Sequence, residues 1–139
     1  MIRWGRTLAV MLALGSTAAA GVDAKGEGAE RPMIVKIHAD WCGTCTKLTP
    51  IFEALERDIG DRAVIVTLDV TDRTAFEGSR ERADRLGIRV FFDENRSKTG
   101  TVAVLDARGQ VVALGRGELD PAWYIEAVQK AGATMARGS

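Results

Sequence analysis

The sequence predicts an α/β domain, a central mixed β-sheet flanked by helices with elements in the order β-α-β-α-β-β-α. Three observations lead to that class. Short, β-branched apolar runs alternate with longer stretches whose apolar residues recur at helical spacing. Two late apolar runs flank the turn Asp106-Ala107-Arg108-Gly109, which pairs them as a hairpin. Asp120 followed by Pro121 is a helix start, an N-cap and then a residue whose missing N–H has no partner to lose in the first turn.

Each element can be justified in chain order. Arg3 and Arg6, the apolar run Thr7 to Leu14 and the small residues Gly15 to Ala20 have the layout of a secretory signal peptide over residues 1–20. Cleavage is expected after Ala20 or Ala24; the alternative is an uncleaved, loosely anchored N-terminus. The run is shorter than the ~18 apolar residues that span a bilayer. No Cys follows it closely enough to carry a lipoprotein anchor. Residues 21–31 are Gly-rich and charged, a flexible leader that Pro32 ends. Met33 to Ala39 is a strand interrupted by Lys36 and His38. From Thr46 to Ile59, Leu48, Ile51, Phe52, Leu55 and Ile59 form one helical stripe, with Gly60 as its C-cap.

Ala63 to Val70 is a second strand, apolar enough for a buried parallel position. Thr71 to Leu86 carries acids early and arginines late, a helix ending at Gly87. Arg80, Arg82, Arg85 and Arg89 are expected on its solvent face. Ile88 to Gly100 reads as a strand end followed by a polar loop. Thr101 to Leu105 and Gln110 to Leu114 are the hairpin strands, and Trp123, Ile125 and Val128 pack the last helix down. The folded domain is expected over 32–132, with 133–139 a tail. A right-handed β-α-β crossover makes the first two strands parallel, and the hairpin adds antiparallel strands at one side.

Composition narrows the function classes. The 139 residues are 46% hydrophobic and 27% charged, with zero formal net charge. Without residues 1–20 there are 17 basic against 19 acidic side chains. Nucleic acid is excluded as a partner, since phosphate binding needs a concentrated basic patch. No GxGxxG motif is present to hold a pyridine nucleotide.

Chemistry concentrates at Cys42 and Cys45, the only cysteines. A bridge across three residues closes a tiny loop and stabilises little, so the pair is explained by reactivity and not by stapling. Cys42 lies where the first strand gives way to the first helix, and a thiol there feels free N–H groups and the positive end of the dipole. Cys45 returns to the same face one turn on. Cys42 is therefore the expected nucleophile toward a substrate disulfide, and Cys45 the thiol that resolves the mixed disulfide. Gly43 and Thr44 lie between them, Gly43 keeping the approach open, and Trp41 offers an apolar platform. A closed zinc site takes four ligands, and with two Cys and one His it would need carboxylates to complete it.

Ala39-Asp40-Trp41-Cys42-Gly43-Thr44-Cys45, with Pro50 eight residues after Cys42, resembles the active-site segment of the thioredoxin family. The resemblance continues through Asp69, the Arg108-Gly109 turn, Gly117 and the final helix, covering roughly residues 32–131. The Ala-Asp-Trp-Cys form is particularly similar to exported members, including the C-terminal domain of the membrane thiol-disulfide transducer. The resemblance implies a thioredoxin-like fold and a thiol-disulfide oxidoreductase. It implies protein disulfide and dithiol substrates, no cofactor beyond a reversible Cys42–Cys45 disulfide, and a monomer. It implies too that Pro50 bends the active-site helix. With the leader it points to a bacterial periplasmic protein, a reductase fed by a membrane thiol-disulfide transducer.

Three departures from the family stand out. The family's buried Asp six residues before the first Cys is replaced by Lys36, and the Lys that partners it by Thr67. A cation at Lys36 would favour thiolate and make the pair more oxidising if it faces the site; the alternative is that it faces solvent. Where the family places a cis-proline opposite the thiols, aligning the hairpin puts Gly100, just before Thr101. Together with the polar residues Asp93 to Lys98, that alters the substrate groove. It also keeps a second reading open, a copper(I) or metal-assembly protein using Cys42, Cys45 and His38, since soft thiolates suit copper(I). His38 is otherwise a polar strand residue, and Asp40 either tunes Cys42 or is solvated surface.

Overall fold

The computed structural model describes residues 30–137, with the side chains of 135–137 left aside; the expected signal peptide and nearly all of the leader lie outside them. Four strands and four helices follow one another: β1 (Met33–His38), α1 (Gly43–Ile59), β2 (Val64–Asp69), α2 (Arg73–Arg85), α3 (Arg89–Asn95), β3 (Thr101–Leu105), β4 (Val111–Arg116) and α4 (Pro121–Arg137). The sheet order is β2-β1-β3-β4. β1 and β2 are parallel, in register from Met33 opposite Val64 to His38 opposite Asp69. β3 runs antiparallel to β1 and to β4, so the mixed sheet expected from the crossover and hairpin is present.

Because side chains alternate across a strand, the sheet separates two apolar layers. Met33, Val35 and Ile37 of β1 meet Val66, Leu68, Ala83, Phe91 and Phe92 on the α2–α3 face. Ile34 meets Leu48, Phe52, Leu55, Val102, Val104 and Tyr124 on the α1–α4 face. Lys36 has the parity of Ile34 and therefore points under α1.

Local chemistry sets the helix ends. Asp72 caps α2, its carboxylate accepting from the Ala75 N–H at 2.8 Å, and Asp120 accepts from the Ala122 N–H at 3.0 Å. Cys42 caps α1 with its sulfur, so that helix begins at Gly43, three residues before the segment expected from Thr46.

Several expectations are corrected. Ile88 to Gly100 is not a strand end and loop: Arg89–Asn95 forms α3, burying Phe91, Phe92 and Asn95. Two consecutive aromatics resemble a strand fragment, but here one short helix drives both under the sheet. β2 is parallel as expected, yet it is an edge strand, and Ile65, Thr67 and Asp69 are only half-buried. Tyr124, not Trp123, is the fully buried anchor of α4; Trp123 packs edge-on against it at 4.9 Å. α4 runs on to Arg137, so much of the segment expected as a tail is helical. Arg89 belongs to α3 and not to α2, and pairs at the surface with Asp84 and Asp93.

Candidate active site

The thiols sit at the junction of β1 and α1, where the strand's C-terminal edge meets the helix N-terminus. The Cys45 N–H donates to Cys42 Sγ at 3.3 Å. Cys42 is half-exposed and Cys45 fully buried, both as free thiols. Burial pushes the Cys42 thiol up, but hydrogen bonds from the Cys45 and Thr99 side chains and from the Cys45 and Thr44 backbone outweigh it and bring it below an ordinary cysteine. Cys45 moves the other way: burial first, then its hydrogen bond to Cys42, hold it above the ordinary thiol range. The single Cys45 S–H proton thus has two acceptors, the Cys42 sulfur and the Ile37 carbonyl at 3.6 Å. One thiol is poised to ionise and the other to stay protonated.

Gly100 faces the pair. All described peptide bonds are trans, and Gly100 adopts φ +83°, a conformation that an L side chain rarely enters. Its N–H donates to the Ile37 carbonyl and its carbonyl accepts from the Gly117 N–H, each at 2.9 Å. A Cβ on Gly100 would stand 3.1 Å from Thr44 Cγ2 and 3.9 Å from Cys42 Sγ; one on Gly117, at φ +64°, would stand 2.8 Å from the same methyl. The Thr44 methyl therefore occupies a saddle made by two glycines. Proline has no place at Gly100, because its ring requires φ near −65°.

Lys36 is 3% exposed, and its Nζ lies 4.7 Å above the centre of the Phe52 ring, which answers the question of its direction. Burial lowers its pKa, against the charges of Cys45, Glu53 and Asp69. Thr67 is its register partner on β2.

The remaining residues are placed as follows. Trp41 is 67% exposed beside Cys42, and its indole N–H donates to the Thr71 carbonyl at 3.3 Å. Nothing crowds the space over Gly43. Asp40 is exposed and bonded to His38 Nε2 at 3.0 Å. His38 gathers with Asp40 and Asp69, not with the thiols, so the structure does not assemble the Cys42, Cys45 and His38 ligand set. Pro50 lies inside α1, where Thr46 and Thr49 turn their hydroxyls back to the carbonyls of Cys42 and Cys45. Thr101 is buried on β3 and bonds the Lys98 carbonyl, so it shapes the loop and not the sulfurs.

Sequence reasoning missed Thr71 and Thr99. Thr71 accepts the Asp40 N–H at 2.9 Å and is itself held by Asp69 at 2.5 Å, which ties the loop before Cys42 to the end of β2. Its position two residues past a parallel strand was a usable signal, since sites collect at the carboxyl ends of such strands. Thr99 carried no signal, lying in a segment read as loop.

The thioredoxin family model matches residues 20–89, half of the chain, and stops before most of α3 and the Thr99–Gly100 turn. The chain is 36% identical over 47 residues to the H-type thioredoxin of Chlamydomonas reinhardtii, covering 34% of this chain and 42% of that one. It is 27% identical over 94 residues to a thioredoxin-like protein of Synechocystis, 68% of this chain and 84% of that one. The Fasciola hepatica thioredoxin structure superposes with a TM-score of 0.52 at 20% identity, covering 76% of this chain and 85% of that one, a likeness of fold.

Proposed function

The chain belongs to the thioredoxin family, and we propose that it performs thiol-disulfide exchange through Cys42 and Cys45. The Cys42 thiolate attacks a substrate disulfide, forming a mixed disulfide and expelling one substrate thiolate. Cys45 then attacks Cys42 Sγ; the Cys42–Cys45 bond forms, the bond to substrate breaks, and the second substrate thiolate leaves. The substrate gains two electrons and the pair loses them, with no other redox group needed. The observation that carries this is the opposed tuning of the two thiols, half-exposed Cys42 lowered and buried Cys45 raised.

We further propose that the substrates are exported proteins and that a membrane thiol-disulfide transducer re-reduces the pair, which makes the protein a reductase. The basic and apolar residues before Ala20 support export, and no NADPH-linked reductase is expected outside the cytoplasm. Titration of the chain from Gly21 onward against glutathione buffers, followed by Trp41 fluorescence, tests both parts. A reversible transition absent from Cys42→Ser supports exchange. A midpoint near or below about −250 mV supports the reductase, and one near about −150 mV would assign an oxidant or isomerase instead. No transition at all overturns the exchange reading.

A further inference from the structure

His38, Asp40 and Asp69 form a second cluster of reactive side chains, which thiol-disulfide exchange does not use. His38 and Asp69 are register partners at the carboxyl ends of the parallel strands β1 and β2, the end of a parallel pair where ligands collect. Asp40 follows two residues later, its Oδ1 3.0 Å from His38 Nε2. One ligand atom from each of the three lies within 4.8 Å of the other two. A triangle of that size has a point under about 3 Å from every corner. Zinc bonds to nitrogen and oxygen measure ~2.0–2.2 Å, so small side-chain rotations bring all three onto one ion.

Three features of the cluster favour a cation. The first is charge: two carboxylates stand close together with one imidazole between them. Among the described residues Lys36 makes no salt bridge with either; its Nζ lies over the Phe52 ring. The second is orientation. The Thr71 N–H and hydroxyl both donate to Asp69 Oδ1, which fixes the carboxylate and leaves Oδ2 to bind. Outer hydrogen bonds of this kind are what aim metal ligands. The third is the ring of His38, whose Nδ1 is buried and has no hydrogen-bond partner among the described residues. A buried polar atom left unsatisfied in a folded protein points to a bound water or ion. Hydrogen bonding to Asp40 alone does not offset that desolvated nitrogen, whereas coordination gives the ring a stronger bond.

We propose that His38, Asp40 and Asp69 bind a divalent transition-metal cation of the zinc class. One imidazole nitrogen and one oxygen of each carboxylate supply three ligands, and water completes the shell, as in an open zinc site. Imidazole selects for zinc and its neighbours over magnesium and calcium, which prefer oxygen alone. The Asp40 side chain is 76% exposed, so an ion enters from solvent without local unfolding. No cysteine takes part, and the site does not depend on the exchange reading.

Thiolates bind zinc strongly, so the test uses the full chain with Cys42→Ser and Cys45→Ser. Titration with zinc chloride in a calorimeter should show one saturable site per chain. His38 is the only histidine, so its ring nitrogens are identified in a ¹⁵N spectrum without further substitution. One equivalent of zinc should shift them, and the shift should saturate with the heat. His38→Gln and Asp69→Asn should each weaken binding by at least about 10-fold, the lower end of what even an outer-shell loss costs. Absence of saturable binding overturns the proposal. So does binding that leaves the His38 ring signals unmoved, which assigns the ion to carboxylates elsewhere on the surface. Should a variant fail to fold, the ring signals of the histidine-containing chain still decide.

Discussion

Cys42 caps the N-terminus of α1 and, in our reading, begins the reaction, with the same sulfur. Serine supplies a capping oxygen in place of the sulfur but not the nucleophile, so Cys42→Ser should fold normally. Cys45→Ser should accumulate a covalent adduct with a disulfide substrate, detectable by intact mass, because the first bond forms and nothing resolves it; rapid release of free substrate would contradict the assigned roles. Since Cys42 titrates below an ordinary cysteine, its alkylation should be half-maximal at a pH under the usual value of about 8.5. The glycine saddle makes a separate prediction. Gly117→Ala forces a Cβ against the Thr44 methyl at a positive φ and should cost about 1–3 kcal/mol in urea unfolding. Thr44→Ser removes that methyl and should return part of the loss; if the two effects simply add, the saddle is not a coupled contact.

At the scale of elements, α3 is the instructive case. Seven residues make barely two turns, too short for periodicity to separate a helix from a strand. Its purpose lies in packing: Phe92 is fully buried and tilted against Phe76 at 5.3 Å, closing the layer beneath β1 and β3. Phe92→Ala should therefore destabilise by about 3–5 kcal/mol, measured by chemical denaturation. A loss under 1 kcal/mol would mean that the layer collapses to fill the space. α1 was far more legible, since its stripe from Leu48 to Ile59 spans three turns. Its true start was hidden, because a cysteine sulfur is not among the usual capping groups.

For the molecule as a whole, Lys36 links the site to stability. Its pKa in the fold is lowered by burial, so the unfolded chain binds more protons wherever the two values differ. Folding is therefore penalised at low pH, and the penalty fades as pH rises from the lowered value to the ordinary lysine value of about 10.4. Lys36→Met removes it and should raise stability at neutral pH by about 1 kcal/mol, the low end for replacing buried charge by apolar volume. The gain should shrink in alkaline buffer. Thermal melts across pH check this, and a variant less stable than the parent at neutral pH would show that the Phe52 contact outweighs desolvation.

The alternation of apolar runs and stripes, the Cys42–Cys45 spacing and the Asp120-Pro121 start were enough to determine the sheet, its parallel and hairpin pairs and the reacting thiols. Each is a local pattern, carried by neighbours in sequence. What the tertiary structure decided is what depends on residues far apart in the chain. Lys36 turned inward because its strand parity places it under α1. His38 turned to Asp40 and Asp69, away from the thiols. Thr71 and Thr99 reached the site across 29 to 57 positions, counted from Cys42. Gly100 met Thr44 because the β3–β4 hairpin folds back over the helix N-terminus. Periodicity shows which face a residue takes within its own element, but what stands opposite that face is settled only when the layers close.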